Sequence, residues 1–243
     1  TTLGAIDNIY RHQITHAAGL HFTATEQFAE KVIQLIGISD NVLTVGSLSL
    51  DGIENFKPIE KHLFYEQFKI PNQEFALITF HPETIDPDSN KVSAIEMRNA
   101  MASLSKKLFL VITMPNADTM GSIYRKEIEL LKREFPEQVL CVENFGKDNY
   151  FTAMYYARLL LGNTSSGILE AASFGKYVVN VGDRQKGRAQ SGNCINTPFA
   201  KEGIIDALNK ALELNTFEGE NIYCKSNTTK LIINKLKSFH EAL

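Results

Sequence analysis

Residues 158–167 read RLLLGNTSSG, an arginine and three leucines followed by a loop of Gly, Asn and small hydroxyl residues, and ILEA follows directly. A short apolar run ending in such a loop predicts a buried strand at Arg158–Leu161 feeding a helix at Gly167–Phe174. The same unit recurs on both sides. Apolar, β-branched runs predict strands at Asn41–Ser47, Phe75–Phe80, Leu108–Met114, Gln138–Val142 and Tyr177–Val181. Helical periodicity fills the gaps at Ser89–Leu104, Ser122–Phe135, Asn149–Ala157 and Lys201–Leu214. The strands show little alternation, as expected when helices cover both faces of a parallel sheet. The fold class expected is therefore α/β, an open, doubly wound, Rossmann-like parallel sheet.

The front of the chain reads differently. A helix at Ile6–Ala18, a short strand at His21–Thr23, a helix at Glu26–Ile36 and the strand at 41–47 are too little to close a core of their own. They are expected to be the last units of another domain, joined near Gly52–Pro58. After a break at Thr216–Glu220, a closing amphipathic helix is expected at about Ser226–Leu243. The first residue is Thr1 rather than Met.

The 243 residues carry 25 Lys and Arg against 28 Asp and Glu, a net charge of -3. That balance gives no general electrostatic case for nucleic acid or an anionic membrane. No apolar run approaches the ~18 residues of a membrane span, and no signal segment opens the chain. The three cysteines have no CxxC spacing, so neither a disulfide framework nor a zinc knot is expected, and a cytoplasmic setting is. Walker A, GxGxxG and GxSxG patterns are absent. His12 and His16 lie four apart without an acidic residue between them in the HExxH manner, so no metal is expected.

Ligands of open α/β sheets bind outside the carboxyl ends of the strands, so the residues after each strand matter most. They are His81-Pro82-Glu83, Pro115-Asn116-Ala117-Asp118, Gly162–Gly167 and Gly182–Arg188 (GDRQKGR). Gly162, Asn163 and Gly167 allow close backbone approach, while Thr164 and Ser165 add hydroxyls at a helix N-terminus, a combination that favours a diphosphate. The plainer reading is a Ser/Thr N-cap. Glu170 suits ribose hydroxyls or simply complements the helix dipole. Arg184 is a substrate clamp or a solvated charge, and His81 a proton donor or a structural strand-end residue.

Taken in order, GAIDNIYRHQITH (Gly4–His16), His81-Pro82, Pro115–Asp118, GNTSSGILEA (Gly162–Ala171), Phe174-Gly175 and GDRQKGR resemble one family. The chain is similar to the C-terminal portion of UDP-N-acetylglucosamine 2-epimerases, of the hydrolysing type used in sialic and nonulosonic acid synthesis. The resemblance covers essentially the whole chain. It implies a two-domain fold like that of GT-B glycosyltransferases, with residues 1–53 ending the first half, 54–225 forming the nucleotide-binding half, and 226–243 returning toward the first.

The resemblance also implies roles. UDP leaves C1 as a base removes the C2 proton, and water adds to the resulting 2-acetamidoglucal to give N-acetylmannosamine. Asp7 matches an acidic active-site residue, with Arg11 one turn later, and His81 lies near the leaving phosphate. Thr164 and Ser165 would hold phosphate, Glu170 the ribose, Arg184 the substrate, Asn116 the nucleotide pocket, and Phe145 the uracil wall. The expected partner is a UDP-sugar, with no cofactor, and the family suggests a homodimer. Further active-site residues of the family belong to the part of its first half not matched here, so this chain alone is expected to lack turnover. A UDP-diacetamido-6-deoxy sugar as substrate, a GT-B glycosyltransferase, and a non-catalytic UDP-sugar-binding module are the alternatives.

Overall fold

A computed structural model describes residues 8–83, 89–115 and 121–241. Asp7 and Asn116 lie outside them.

Eight strands among the described residues form two parallel sheets. The smaller pairs β1 (His21–Thr23) with β2 (Val42–Thr44), flanked by α1 (Asn8–Ala17) and α2 (Glu26–Ile36). Thr25 caps α2 by accepting from the Phe28 N–H at 3.3 Å, and Gly37 ends it in the left-handed conformation. Few apolar side chains of this front unit are buried: Ala29, Val45 and Leu50. Ile9, Tyr10 and Ile14 of α1 stand exposed.

Past α3 (Lys61–Phe68), the larger sheet alternates strands and helices. Its strands are β3 (Phe75–Thr79), β4 (Phe109–Thr113), β5 (Val139–Val142), β6 (Leu159–Gly162), β7 (Val178–Val181) and β8 (Cys194–Thr197). Between and after them lie α4 (Asn90–Leu104), α5 (Gly121–Glu134), α6 (Lys147–Tyr156), α7 (Ser165–Leu169), α8 (Lys201–Glu213) and α9 (Thr228–Glu241).

Successive side chains of a strand point to opposite faces, and in β3 both directions meet helices. Ala76 and Ile78 join the cluster under α4, α5 and α8, while Phe75 and Leu77 join Phe64, Tyr65 and Met154 on the other side. All four are buried to within 1%. Two-sided burial explains why the strands read as unbroken apolar runs.

The sheet order β5-β4-β3-β6-β7-β8 fixes where a ligand fits. From β3 the chain winds one way through β4 and β5, then crosses back to β6 and winds the other way. At such a reversal point, outside the carboxyl ends of the two strands (here β3 and β6), open α/β sheets bind their ligands in a crevice.

One expectation needs correction, and two elements are additions to it. The helix expected at Gly167–Phe174 starts at Ser165, because Thr164 is its cap, and changes to a 3-10 turn over Ala171–Phe174 after Leu169. α3 was not foreseen. Nor was β8, an edge strand whose CINT sequence is only partly buried.

Candidate functional site at the β3–β6 crevice

His81 leaves β3 two residues past its end, and Asn163 leaves β6 next to Gly162. The two are tied together. The fully buried Asn163 side chain accepts from the His81 N–H at Oδ1 (2.8 Å) and donates from Nδ2 to the His81 carbonyl (2.8 Å). Both amide groups are thus committed to a backbone, so Asn163 orients His81 rather than offering its side chain to a ligand.

Gly162 meets a packing need. Its φ is +151°, and a Cβ there would lie 1.8 Å from the Thr79 carbonyl oxygen, so β6 approaches β3 closely here. Gly167 sits inside α7, where a Cβ would come 3.0 Å from Val178 Cγ1. It sets how near the helix lies to β7.

The hydroxyls are concentrated at the start of α7. Thr164 has extended backbone and accepts from the Ser166 N–H at 3.5 Å, which makes it a weak N-cap. Ser165 is the first helical residue and is half-buried. Ser166 shares a 2.7 Å hydrogen bond with the Tyr150 hydroxyl, whose acidity burial suppresses. Tyr150 therefore supports the loop from below, a role that nothing near it in sequence announces.

Glu170 caps the end of α7 and accepts from Ser49 Oγ at 2.8 Å. Burial raises its pKa above the ordinary 4.5, against the lowering by Ser49 and by Lys147. A carboxyl raised in the folded state adds stability below its unfolded pKa and loses it as pH rises through the folded one. Replacing Glu170 with Gln should therefore raise the unfolding midpoint relative to wild type more at pH 7 than at pH 4. A difference independent of pH would contradict this burial argument. Ser49, 121 residues away in sequence, could be found only in the fold.

Arg184 donates from Nη1 to the Asn163 carbonyl at 3.3 Å. Its own backbone N–H, with that of Asp183, points at Glu83 Oε1 (3.1 and 2.8 Å). Burial, then the neighbouring Arg188, pulls the Arg184 pKa down, and Glu83 opposes this. The guanidinium stays charged. Gln185, 2% exposed, donates to the Asn163 carbonyl at 2.8 Å.

Phe145 belongs to an aromatic cluster. Its ring lies among Phe64 (6.1 Å between centroids, stacked), Phe68 (4.7 Å) and Tyr150 (6.5 Å), and it is 5% exposed. Arg11 of α1 lines a recess of about 480 Å³ with His12, Lys31 and Arg188. Their side chains make this recess basic, with no carboxylate among the lining residues.

The sequence model of the UDP-N-acetylglucosamine 2-epimerases matches residues 1–237. The chain belongs to this family. Over 236 residues it is 29% identical to a UDP-N,N'-diacetylbacillosamine 2-epimerase (hydrolyzing) of Legionella pneumophila, covering 97% of this chain and 62% of that one. A GDP/UDP-N,N'-diacetylbacillosamine 2-epimerase (hydrolyzing) of Campylobacter jejuni is 32% identical over 81% of this chain and 51% of its own. The chain thus spans less than two thirds of these relatives. Among solved structures, the UDP-GlcNAc 2-epimerase of Neisseria meningitidis bound to UDP-GlcNAc superposes with a TM-score of 0.79 at 20% identity, covering 97% of this chain and 66% of that one. At that identity the likeness speaks for the fold. Epimerase-family members share it, and it agrees with the parallel six-stranded sheet. No helix among the described residues is long and apolar enough to cross a membrane.

Proposed function

We propose that the protein is a hydrolysing 2-epimerase that releases UDP from UDP-N-acetylglucosamine and yields free N-acetylmannosamine. The observation that carries this is convergence. Residues 81, 164, 165 and 184, from three strand ends, gather at the crevice where the sheet reverses direction, and family membership supplies the chemistry.

In this reading a carboxylate, Asp7, takes the C2 proton, which is not acidic and needs a base held against it. As the C–H pair forms the C1–C2 double bond, the C1–O bond breaks and its electrons leave with the β-phosphate of UDP. Donors aimed at that oxygen stabilise the charge that develops there. His81, Thr164, Ser165 and Arg184 are suited to this. Water then adds hydroxyl to C1 of the 2-acetamidoglucal and a proton to C2 on the opposite face. The net change is UDP-sugar plus water to UDP plus the epimeric free sugar.

Residues 1–53 are proposed to end the first half of a GT-B-like pair, residues 54–225 to form the second, and 226–243 to return to the first. Contacts of the last segments support this. Thr228 Oγ1 donates to the Val45 carbonyl at 2.6 Å, Lys225 Nζ meets Glu26 Oε1 at 2.9 Å, and Phe239 packs on Gly19. A cytoplasmic homodimer is proposed from the family resemblance.

Names borne by the relatives favour a second substrate, a UDP-diacetamido-6-deoxy sugar, equally well. Competition of the two sugars for one enzyme distinguishes them. For either, replacing Thr164 and Ser165 together by Ala should weaken UDP binding by at least ~10-fold, since each charge-assisted hydrogen bond is worth about 1.5–3 kcal/mol. Unchanged affinity in calorimetry would remove the diphosphate from this loop.

A further inference from the structure

We infer that Glu83 is a positioning residue that holds Arg184 in place for the UDP-sugar. The inference rests on the proposed function, because Arg184 needs placing only if it meets that substrate.

Three observations carry it. First, one carboxylate oxygen, Glu83 Oε1, accepts from two successive backbone N–H groups, those of Asp183 (2.8 Å) and Arg184 (3.1 Å). Second, the loop is shaped around that oxygen. Gly182 has φ +76°, and a Cβ there would come 2.4 Å from Glu83 Oε1 and 2.4 Å from Phe199 Cε2. Third, Glu83 is itself fixed from behind. Asn90, fully buried at the start of α4, accepts from the Glu83 N–H (2.9 Å) and donates to its carbonyl (2.8 Å).

These contacts close a ring. His81 is joined through Pro82 to Glu83, and Glu83 accepts from Arg184. Arg184 and Gln185 donate to the Asn163 carbonyl, and Asn163 clamps the backbone of His81. The ring ties the His81 backbone at the β3 end to the Arg184 backbone and guanidinium at the β7 end. The Glu83 charge also counters the repulsion that Arg184 feels from Arg188. Loop residues that bear function need such support to hold a productive geometry.

The test uses the complete enzyme with UDP-N-acetylglucosamine. Glu83→Ala should lower kcat/KM roughly 10- to 100-fold, the size expected when a binding group shifts by about 1 Å. Glu83→Gln keeps an Oε1 acceptor for both N–H groups and should recover activity to within about 3-fold of wild type. Combined with Arg184→Ala, Glu83→Ala should add nothing further, because the residue to be positioned is gone. Unchanged kcat/KM in Glu83→Ala, or losses that add in the double variant, would overturn the inference. Amide exchange at Asp183 and Arg184 reads the same contact without any substrate. The two should be protected in wild type and exposed in Glu83→Ala, and fast exchange in wild type would overturn the inference too. Absence of turnover in wild type with those amides protected would instead sink the proposed function while leaving the hold of Glu83 on the loop established.

Discussion

Gly162→Ala should be the most disruptive added methyl among the described glycines. The added Cβ would sit 1.8 Å from the Thr79 carbonyl oxygen, well inside van der Waals contact, at a backbone φ of +151° that L side chains rarely adopt. Relief requires β6 to move off β3, where Thr79 and Gly162 are paired in register and the Asn163 N–H donates to the Thr79 carbonyl at 3.2 Å. Both strands are buried on both faces, so displacement disturbs the two core clusters at once. A loss of about 4 kcal/mol or more is expected, the range reserved for strain or misfit in a core. In a domain of this size that lowers the unfolding midpoint by roughly 10 °C. The site would suffer with the fold, since Asn163 and Thr164 follow directly. Thermal unfolding and soluble yield check this. A midpoint equal to that of wild type would show that the β3–β6 approach is looser than described.

The second large effect is on chemistry. Asp7→Asn keeps size and polarity but removes the basic carboxylate. If Asp7 takes the C2 proton, kcat should fall by about 10²–10⁴-fold while UDP affinity is largely kept. His81→Ala tests the other side. Its backbone is held through the Asn163 amide at two points of 2.8 Å, and neither depends on the imidazole. The variant should therefore fold with a near-normal midpoint, lose turnover on the same scale, and lose some UDP affinity as well. A purely structural His81 predicts the reverse, a lowered midpoint with near-normal activity per folded molecule. Wild-type turnover in a folded Asp7→Asn enzyme would remove Asp7 from the mechanism.

The sheet was legible in sequence because two-sided burial leaves apolar runs such as FALITF and LFLVITM with little else to become. The β8 edge was not, since a half-exposed CINT carries neither a run nor an alternation. Strand ends pointed to His81, Thr164 and Arg184, because the geometry of open sheets makes those positions special before any contact is known. What sequence could not give was direction. Asn163 lies in the middle of the most informative motif, yet its amide turns inward onto His81. The ring of Phe145 packs against Phe64 and Phe68, a partnership that no spacing announces. Ser49 and Tyr150 reach the site from distant or unremarkable positions, and only the three-dimensional crossing of the chain brings them there.

The central claim is that the protein cleaves UDP from a 2-acetamido sugar with inversion at C2. The most direct measurement is ¹H NMR of the complete protein incubated with UDP-N-acetylglucosamine in D₂O. The account predicts UDP and free N-acetylmannosamine in equal amounts, with deuterium at C2 and no acceptor required. UDP and the C2-epimeric free diacetamido sugar, formed from the diacetamido substrate alone, would move the substrate but keep the chemistry. Release of N-acetylglucosamine without C2 exchange, retention of the sugar on UDP, or no reaction until an acceptor is added would contradict the claim.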